Sequence, residues 1–389
     1  MLPLPGCIIN GLLETSIAHL NPVTSFHYQT PKNPYMNLQL RLIWVLSLII
    51  SVSCSNPKGN GNESDIKILS REAEKKIDVL IDGKLFTSFC WPDNVYKPIL
   101  YPVFTSGGTE ITRGFPLKPR EGERNDHIHQ VGIWFNYGNV NGIDFWGNGS
   151  RGIREPKGGE IKHVGIERAG IRNGEGSFVS AENWIGPSGR ILITEETEYH
   201  FMGHGSTRII DRVTTLTAGD TAVLFKDTKE GLFGMRVSRQ MELPSKDALN
   251  LLDANGNPSA VKDSLNSGVT GNYRSSEGIT GEAVWATRAR WMELSGIIAD
   301  ENISIVICDH QKNPGYPTFW HARGYGLFAA NPFGWADFTK GKESFNFTIP
   351  AKKSAKFRYR VIITSGARLT DLEINAYSDD FNKKYNKNK

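Results

Sequence analysis

Two short stretches concentrate side chains able to do chemistry. The first, Arg113 to Trp146, reads RGFPLKPREGERNDHIHQVGIWFNYGNVNGIDFW; the second, Cys308 to Gly334, reads CDHQKNPGYPTFWHARGYGLFAANPFG. Both set histidine, arginine and tryptophan close together, which an ordinary sheet surface does not require. In Asp126-His127-Ile128-His129 an extended backbone would send both imidazoles to one face, with Cα atoms about 7 Å apart. Two rings so placed can share a metal, flank a substrate or transfer protons. The plain alternative is a hydrogen-bonded pair beneath a loop. His321 and Arg323 have the same i, i+2 relation in Trp320-His321-Ala322-Arg323. An imidazole beside a guanidinium suits a carboxylate or a cluster of sugar hydroxyls, although Arg323 could equally pair with a structural acid. His127, His129 and His321 together are a candidate ligand set for a divalent metal.

Further candidates surround these. Lys229 and Glu230 lie in Asp227-Thr228-Lys229-Glu230-Gly231, where a strand meets a turn, a common place for reactive groups. Glu230 is a candidate general base, Lys229 a base or its orienting partner, and the histidines the acid partners; an exposed ion pair would need no function. Arg113 is a candidate anion clamp. Trp134 and Trp320 are candidate platforms for sugar rings, although a tryptophan also fills cores. Asn331, in Asn331-Pro332-Phe333-Gly334, sits at a turn that can present it to a ligand. Other chemistries are not encoded. The chain has no Gly-x-x-x-x-Gly-Lys phosphate loop, no dinucleotide fingerprint and no His-Glu-x-x-His, and Gly186-Pro187-Ser188-Gly189 lacks the spacing of a nucleophile elbow.

The elements that must carry these residues read as strands. Lys76–Ile81, Ile191–Phe201, Thr207–Leu216, Ala222–Phe225, Phe233–Met241, Ile303–Cys308, Ser344–Ile349 and Lys356–Thr364 are rich in Val, Ile, Thr, Phe and Tyr and bounded by turn formers. In Lys356–Thr364, Phe357, Tyr359 and Val361 share one face while Arg358 and Arg360 take the other, the pattern of an antiparallel sheet. One helix is expected near the C-terminus. Thr370 and Glu373 form a capping box, Leu372, Ile374, Tyr377 and Phe381 an apolar stripe, and Lys383 and Lys384 suit the negative end of the dipole. Leu243 to Gly281 is rich in Asn, Ser, Gly and Asp and reads as a long excursion or a lid. The fold expected is all-β: a large antiparallel β-sandwich of two packed sheets with a C-terminal helix, residues 66–389 forming one domain.

Composition narrows the class. The 389 residues are 39% hydrophobic and 22% charged, ordinary for a globular protein, and 40 glycines and 19 prolines point to many turns. A net charge of +4 with no long basic block gives no reason to invoke nucleic acid. Residues 1–35 read as an over-extended gene start. Met36 to Ser53 reads as a signal peptide: Arg41, an apolar run from Leu42 to Ile50, then small residues before Cys54. Cys54 is a candidate lipidation site, and residues 54–65 a polar tether. The expectation is a periplasmic or surface protein held to the inner or outer membrane by a lipid anchor, plain secretion being the alternative. Cys90 and Cys308 could form a disulfide or remain buried thiols.

Four strings, YPVFTSGGTEITRGFP, DHIHQVGIWFNYGNVNGIDFW, DTKEGLFGMRVS and YPTFWHARGYGLFAANPFG, resemble a bacterial family of unknown function often labelled methane oxygenase PmoA-like. Membrane methane monooxygenase subunits need several spans of about 20 apolar residues, which the chain after its leader lacks. The resemblance instead implies a secreted β-sandwich similar to the galactose-mutarotase-like supersandwich, of a kind that accompanies carbohydrate degradation. The family usually shows Asp-His-Pro-His-His-Arg where this chain reads Asp126-His127-Ile128-His129-Gln130-Val131. A third histidine and an arginine are therefore missing. Three readings follow. The first is an enzyme cleaving or isomerising a glycoside or sugar acid. It would use His127, His129, Lys229, Glu230 and His321 for catalysis, and Arg113, Trp134, Trp320, Arg323 and Asn331 for binding. The second is a non-catalytic glycan-binding lipoprotein, and the third a metal-dependent oxygenase.

Overall fold

The computed structural model describes residues 64–151, 155–246, 249–258 and 266–386. The signal peptide, Cys54 and nearly all of the tether expected from the sequence lie outside them. Two eight-stranded sheets dominate. The first runs in the order β1 (Ile66–Arg71), β2 (Lys76–Ile81), β3 (Lys84–Cys90), β4 (Ile99–Val103), β5 (Ile133–Tyr137), β11 (Gly231–Arg236), β16 (Leu327–Asn331) and β15 (Phe319–Arg323). The second runs β12 (Asn272–Ser275), β13 (Trp291–Ile298), β14 (Glu301–Asp309), β18 (Ser354–Ser365), β9 (Thr207–Ala218), β8 (Ile191–His204), β7 (Glu175–Ile185) and β6 (Glu160–Arg172). A small ribbon pairs β10 (Val223–Phe225) with β17 (Phe347–Ile349). Neighbouring strands pair antiparallel, as in the β3–β4, β5–β11 and β8–β9 ladders.

The apolar sides of the two sheets face each other. Phe233 of β11 stacks on Tyr359 of β18 at 4.8 Å, and Phe135 of β5 meets Trp184 of β7 at 6.3 Å. Strict alternation then decides what each strand shows on its other side. In β5, Ile133, Phe135 and Tyr137 enter the shared core, so Trp134 points outward. In β15, Trp320 and Ala322 enter the core, so His321 and Arg323 point outward. Small residues make room on that outer face. His321 pairs with Ala329, Ala329 with Gly234, and Gly234 with Trp134. A Cβ added to Gly234 would come within 2.8 Å of the Trp134 indole.

Several boundaries differ from the periodicity. The segment Phe233–Met241 stops being a strand at Arg236, and Arg239–Met241 is a 3-10 turn. Of Ser344–Ile349 only Phe347–Ile349 is strand. The hairpin β6–β7 is not evident in the sequence because register shifts between His163 and Gly165 and between Ile166 and Arg168 interrupt its alternation. In the excursion after Leu243, Leu249 and Leu252 are buried, and the Leu252 amide donates to the Glu123 carbonyl at 2.8 Å, against the loop that leads to His127.

A short helix, α1 (Trp335–Phe338), follows β16. The C-terminal helix α2 (Asp371–Tyr385) carries the expected Thr370–Glu373 capping box. It covers the outer face of the second sheet, where Ile374 and Phe381 pack with Ile209, Trp291 and Ile362. Leu372 is 80% exposed and does not join that stripe. Arg360, on the outward face of β18, is sealed beneath the helix and holds Asp211 through two nitrogens at 2.6 and 2.9 Å. Cys90 and Cys308 are free thiols. Among the described residues no helix is long and apolar enough to cross a membrane.

Gly234→Ala tests the packing of this outer face. A methyl group against a buried indole has nowhere to go, so the variant should lose about 1–3 kcal/mol. The readout is a lower urea midpoint with an unchanged slope. Unchanged stability would mean that the Trp134 ring can shift.

Candidate functional site

On the outer face of the first sheet, loops close over β5, β11, β16 and β15 to form a cavity of about 580 Å³. His127, His129, Lys229, Glu230, His321 and Arg323 all line it, joined by Gln130, Asp144, Trp146 and Tyr325. Sequence segments about 200 residues apart thus meet in one place. Asp126–His129 is not the extended segment that would send both rings to one face but an irregular loop with a turn at Ile128–His129. His127 takes a left-handed backbone (φ 45°), and the Gln130 amide donates to its carbonyl at 2.9 Å. The two rings still lie close, 5.9 Å between centroids, and His127 stacks on Tyr325 at 4.9 Å with 4° between planes.

Arg113 holds this loop from behind. It is 1% exposed and does not reach the cavity, which corrects its expected role as an anion clamp. Its two terminal nitrogens donate to the carbonyls of Asp126 (2.8 Å), His127 (2.9 Å) and Gln130 (2.9 Å) and to Asp126 Oδ1 (3.0 Å). Arg236 is buried beside it and donates to the same Oδ1 and to Gln130 Oε1, both at 2.6 Å. Burial alone would raise the Asp126 pKa. Contact with His127 and the charges of Arg236 and Arg113 outweigh that and hold the carboxylate well below its usual range. Burial, helped by the Arg236 charge, pushes the Arg113 guanidinium down to about 9. Gln130, which stands where the resembling family has histidine, is thus a structural acceptor that is 1% exposed.

Three other expected binding residues are also structural. Trp320 is 0% exposed in the core between the sheets, on the opposite side of β15 from His321, and its Nε1 donates to the Ala289 carbonyl. Trp134 is on the right face but covered, with Trp146 edge-on at 5.5 Å. Asn331 is 0% exposed; its Nδ2 donates to the Thr228 carbonyl and its Oδ1 accepts from the Phe333 amide. It shapes the turn that presents Lys229 and Glu230. Asp337 of α1 completes that turn by accepting the Lys229 amide at 2.6 Å.

Within the cavity the protonation states follow from burial. His321 Nδ1 lies 2.9 Å from the Lys229 carbonyl. A carbonyl only accepts, so Nδ1 carries the proton and Nε2 keeps its lone pair. Burial pushes His321 down to about 3, and the Arg323 and Lys229 charges add to the shift. Burial, then the Lys97 charge, likewise pushes His129 well below the usual imidazole range. Both rings are neutral at neutral pH. Lys229 Nζ pairs with Glu230 Oε1 at 3.0 Å. Asp144 Oδ1 accepts the amides of Trp146 and Gly147 at 2.8 Å each, and burial raises its pKa. Trp146 and Tyr325 are the aromatic residues that line the cavity; Trp146 is 3% exposed, and the Tyr325 ring carries His127 and the Arg236 guanidinium against it.

Lys97 is a component that sequence reading missed. It is 3% exposed, its Nζ donates to the His129 carbonyl at 2.6 Å, and it lies 5.6 Å from the Trp134 ring centre. Burial pushes its pKa down to about 7. Nothing in its local sequence signals this, because the partner carbonyl is 32 residues away. Among the described residues no group of three or more His, Cys, Asp and Glu is placed to hold an ion, so His127, His129 and His321 do not come together as the ligand set that their types suggested.

The chain belongs to a family of unknown function: the model described as "Family of unknown function (DUF6807)" matches residues 76–379. No curated protein matches it. Among solved structures it is similar to a galactose mutarotase-like protein from Clostridium acetobutylicum, with 9% identity, a TM-score of 0.33, and 78% of this chain and 99% of that one covered. It is similar to a galactose mutarotase related enzyme from Lactobacillus acidophilus, with 10% identity, a TM-score of 0.28, and 78% and 98% covered. It is also similar to a GH36 alpha-galactosidase from Geobacillus stearothermophilus, with 11% identity, a TM-score of 0.34, and 77% and 41% covered. The methane-oxygenase label finds no support in these matches.

The buried neutral imidazole has a consequence for stability. Unfolded, His321 titrates near 6.5; folded, it is pushed down to about 3. As pH falls below about 6.5 the unfolded chain takes up a proton that the folded chain refuses, so stability falls by up to about 1.4 kcal/mol per pH unit for this group. His321→Asn keeps a donor for the Lys229 carbonyl but does not titrate. Urea midpoints at pH 7.0 and 5.0 should therefore fall less in the variant than in the wild type. Equal losses would show that His321 is not held neutral.

Proposed function

We propose that this member of the family is a carbohydrate-active enzyme in which His321 Nε2 serves as the general base. The observation that carries the reading is the Nδ1 hydrogen bond of His321 to the Lys229 carbonyl inside a 580 Å³ cavity. It fixes the tautomer and leaves a lone pair on a ring that lines the cavity. Trp146 and Tyr325 line the cavity and give a sugar ring apolar contact, and the Lys229–Glu230 pair and Arg323 offer polar contacts to hydroxyl or carboxylate groups. Glu230 is paired with Lys229, and Asp144 Oδ1 is held by two amides. Proton transfer through imidazole, as in elimination or epimerisation of a sugar, therefore fits better than hydrolysis by two free carboxylic groups.

The test is a panel of neutral and acidic sugars and oligosaccharides incubated with the protein in deuterated water, followed by NMR. A substrate should show a new product or exchange of a ring hydrogen, and His321→Ala should lower the rate by about 10²–10⁴-fold. Binding with neither turnover nor exchange would replace this reading with that of a glycan-binding protein.

Location is a separate part of the proposal and rests on sequence alone. We place the mature protein at a membrane surface, with Cys54 as its acylated first residue. Mass spectrometry of the N-terminal peptide from the producing bacterium should find a lipid-modified Cys54. An unmodified peptide running through Cys54 would refute the anchor.

A further inference from the structure

The cations around the cavity are not all paired. Lys229 and Arg323 line it with Asp144 and Glu230, and behind it Arg113 and Arg236 share Asp126, with the buried carboxylates Glu123 and Glu242 near them. Arg113 and Arg236, 1% and 0% exposed, both draw on one oxygen of Asp126. Lys97 is buried and, among the described residues, no carboxylate lies within ion-pair distance of its Nζ; its hydrogen bond goes to a carbonyl. Arg323 likewise has no carboxylate partner among the described residues. Its guanidinium lies over the rings of Trp285 at 5.6 Å and Tyr325 at 5.7 Å. His129 and His321 are neutral and add no further positive charge, and the cations around them help keep them so.

Uncompensated positive charge beneath a half-enclosed cavity is costly to an empty protein and favourable to an anion that enters. A guanidinium resting on aromatic faces keeps its N–H edges free for a planar two-oxygen acceptor. We propose that the cavity recognises an anionic sugar, with the negative group of the ligand seated against Arg323 and Lys229 and its ring in the cavity beside Tyr325 and Trp146. The anion can be the carboxylate of a sugar acid or an ester-linked sulfate or phosphate; all three present oxygens to the same fork. This inference rests on the carbohydrate reading for the sugar and on the charge arrangement alone for the anion, and the two can fail separately.

Titration calorimetry of the protein compares glucuronate and galacturonate with their methyl esters, and glucose 6-sulfate and glucose 6-phosphate with glucose. The charged member of the preferred pair should bind at least about tenfold more tightly, with affinity that falls as sodium chloride is raised. Which pair shows the largest gap identifies carboxylate, sulfate or phosphate. Arg323→Gln should bring the two members of that pair to similar affinity, and Lys229→Gln should narrow the gap independently, both with an unchanged circular dichroism spectrum. Preference for the uncharged member, or a gap that survives Arg323→Gln, overturns the proposal. A parallel arm uses acetate, inorganic sulfate and inorganic phosphate with the Trp146 region read by fluorescence. Simple anions that bind in an Arg323-dependent way, with no sugar of either kind binding, would keep the anion site and sink the carbohydrate reading. Sugars binding without regard to charge would do the reverse.

Discussion

One carboxylate oxygen, Asp126 Oδ1, lies between two buried guanidiniums, 3.0 Å from Arg113 and 2.6 Å from Arg236, and the candidate site depends on it. The loop carrying His127 and His129 has no ladder to fix its path. Its carbonyls would otherwise be loose, and Arg113 collects those of Asp126, His127 and Gln130. A lysine could not replace it, because only a guanidinium spreads its donors widely enough to reach several carbonyls and a carboxylate at once. Loss of either partner would leave charge buried without its counterpart, which is among the more damaging changes a protein can suffer. The wall of the cavity formed by His127, His129 and Gln130 is thus an electrostatic construction rather than a secondary-structure one.

The opposite wall is held by different physics. His321 and Arg323 are fixed by strand alternation. Because Trp320 and Ala322 are committed to the core between the sheets, the residues between and after them must face outward. A slip of one residue in the β15–β16 register would bury the imidazole and expose the tryptophan, so the apolar core specifies the orientation of the polar site. The two walls meet through the Lys229 carbonyl. It accepts the hydrogen bond from His321 Nδ1, and it belongs to a turn held by Asn331 and Asp337. A rigid sheet and two pinned loops together give a cavity whose polar groups have little freedom to rearrange.

Much of this was legible in the chain, and the remainder failed for identifiable reasons. Period-two runs located most of the long strands, and Thr370 with Glu373 marked the start of the C-terminal helix. The two histidine-bearing stretches do converge on one cavity. What the sequence could not resolve was which neighbour of a functional residue faces the ligand. Trp320 and His321 are adjacent, and on a strand adjacent side chains point to opposite faces, so both could not serve one site. Arg113 had the right chemistry for an anion, but its anion is Asp126, 13 positions on. Lys97 carried no signal, since its role arises only when a carbonyl 32 residues away is folded onto it. Local pattern reports the strand; long-range pairing decides which polar residues are left for a ligand.

The protonation pattern links the charge of the cavity to its chemistry. A base held as low as His321 is weak in the empty site, because burial and the Arg323 and Lys229 charges all oppose its protonation. An anion bound between Arg323 and Lys229 would offset those charges, and the imidazole would become easier to protonate. Ligand binding would therefore move the base toward the working pH at the moment a proton has to be accepted. The positive charge that remains would stabilise negative charge developing on the sugar as its proton leaves. On this argument the cations and the neutral imidazole are not competing features. On the proposed reading, burial and the cations would together suppress the base until a negatively charged ligand arrived, and the cations would then favour the reaction that the base begins.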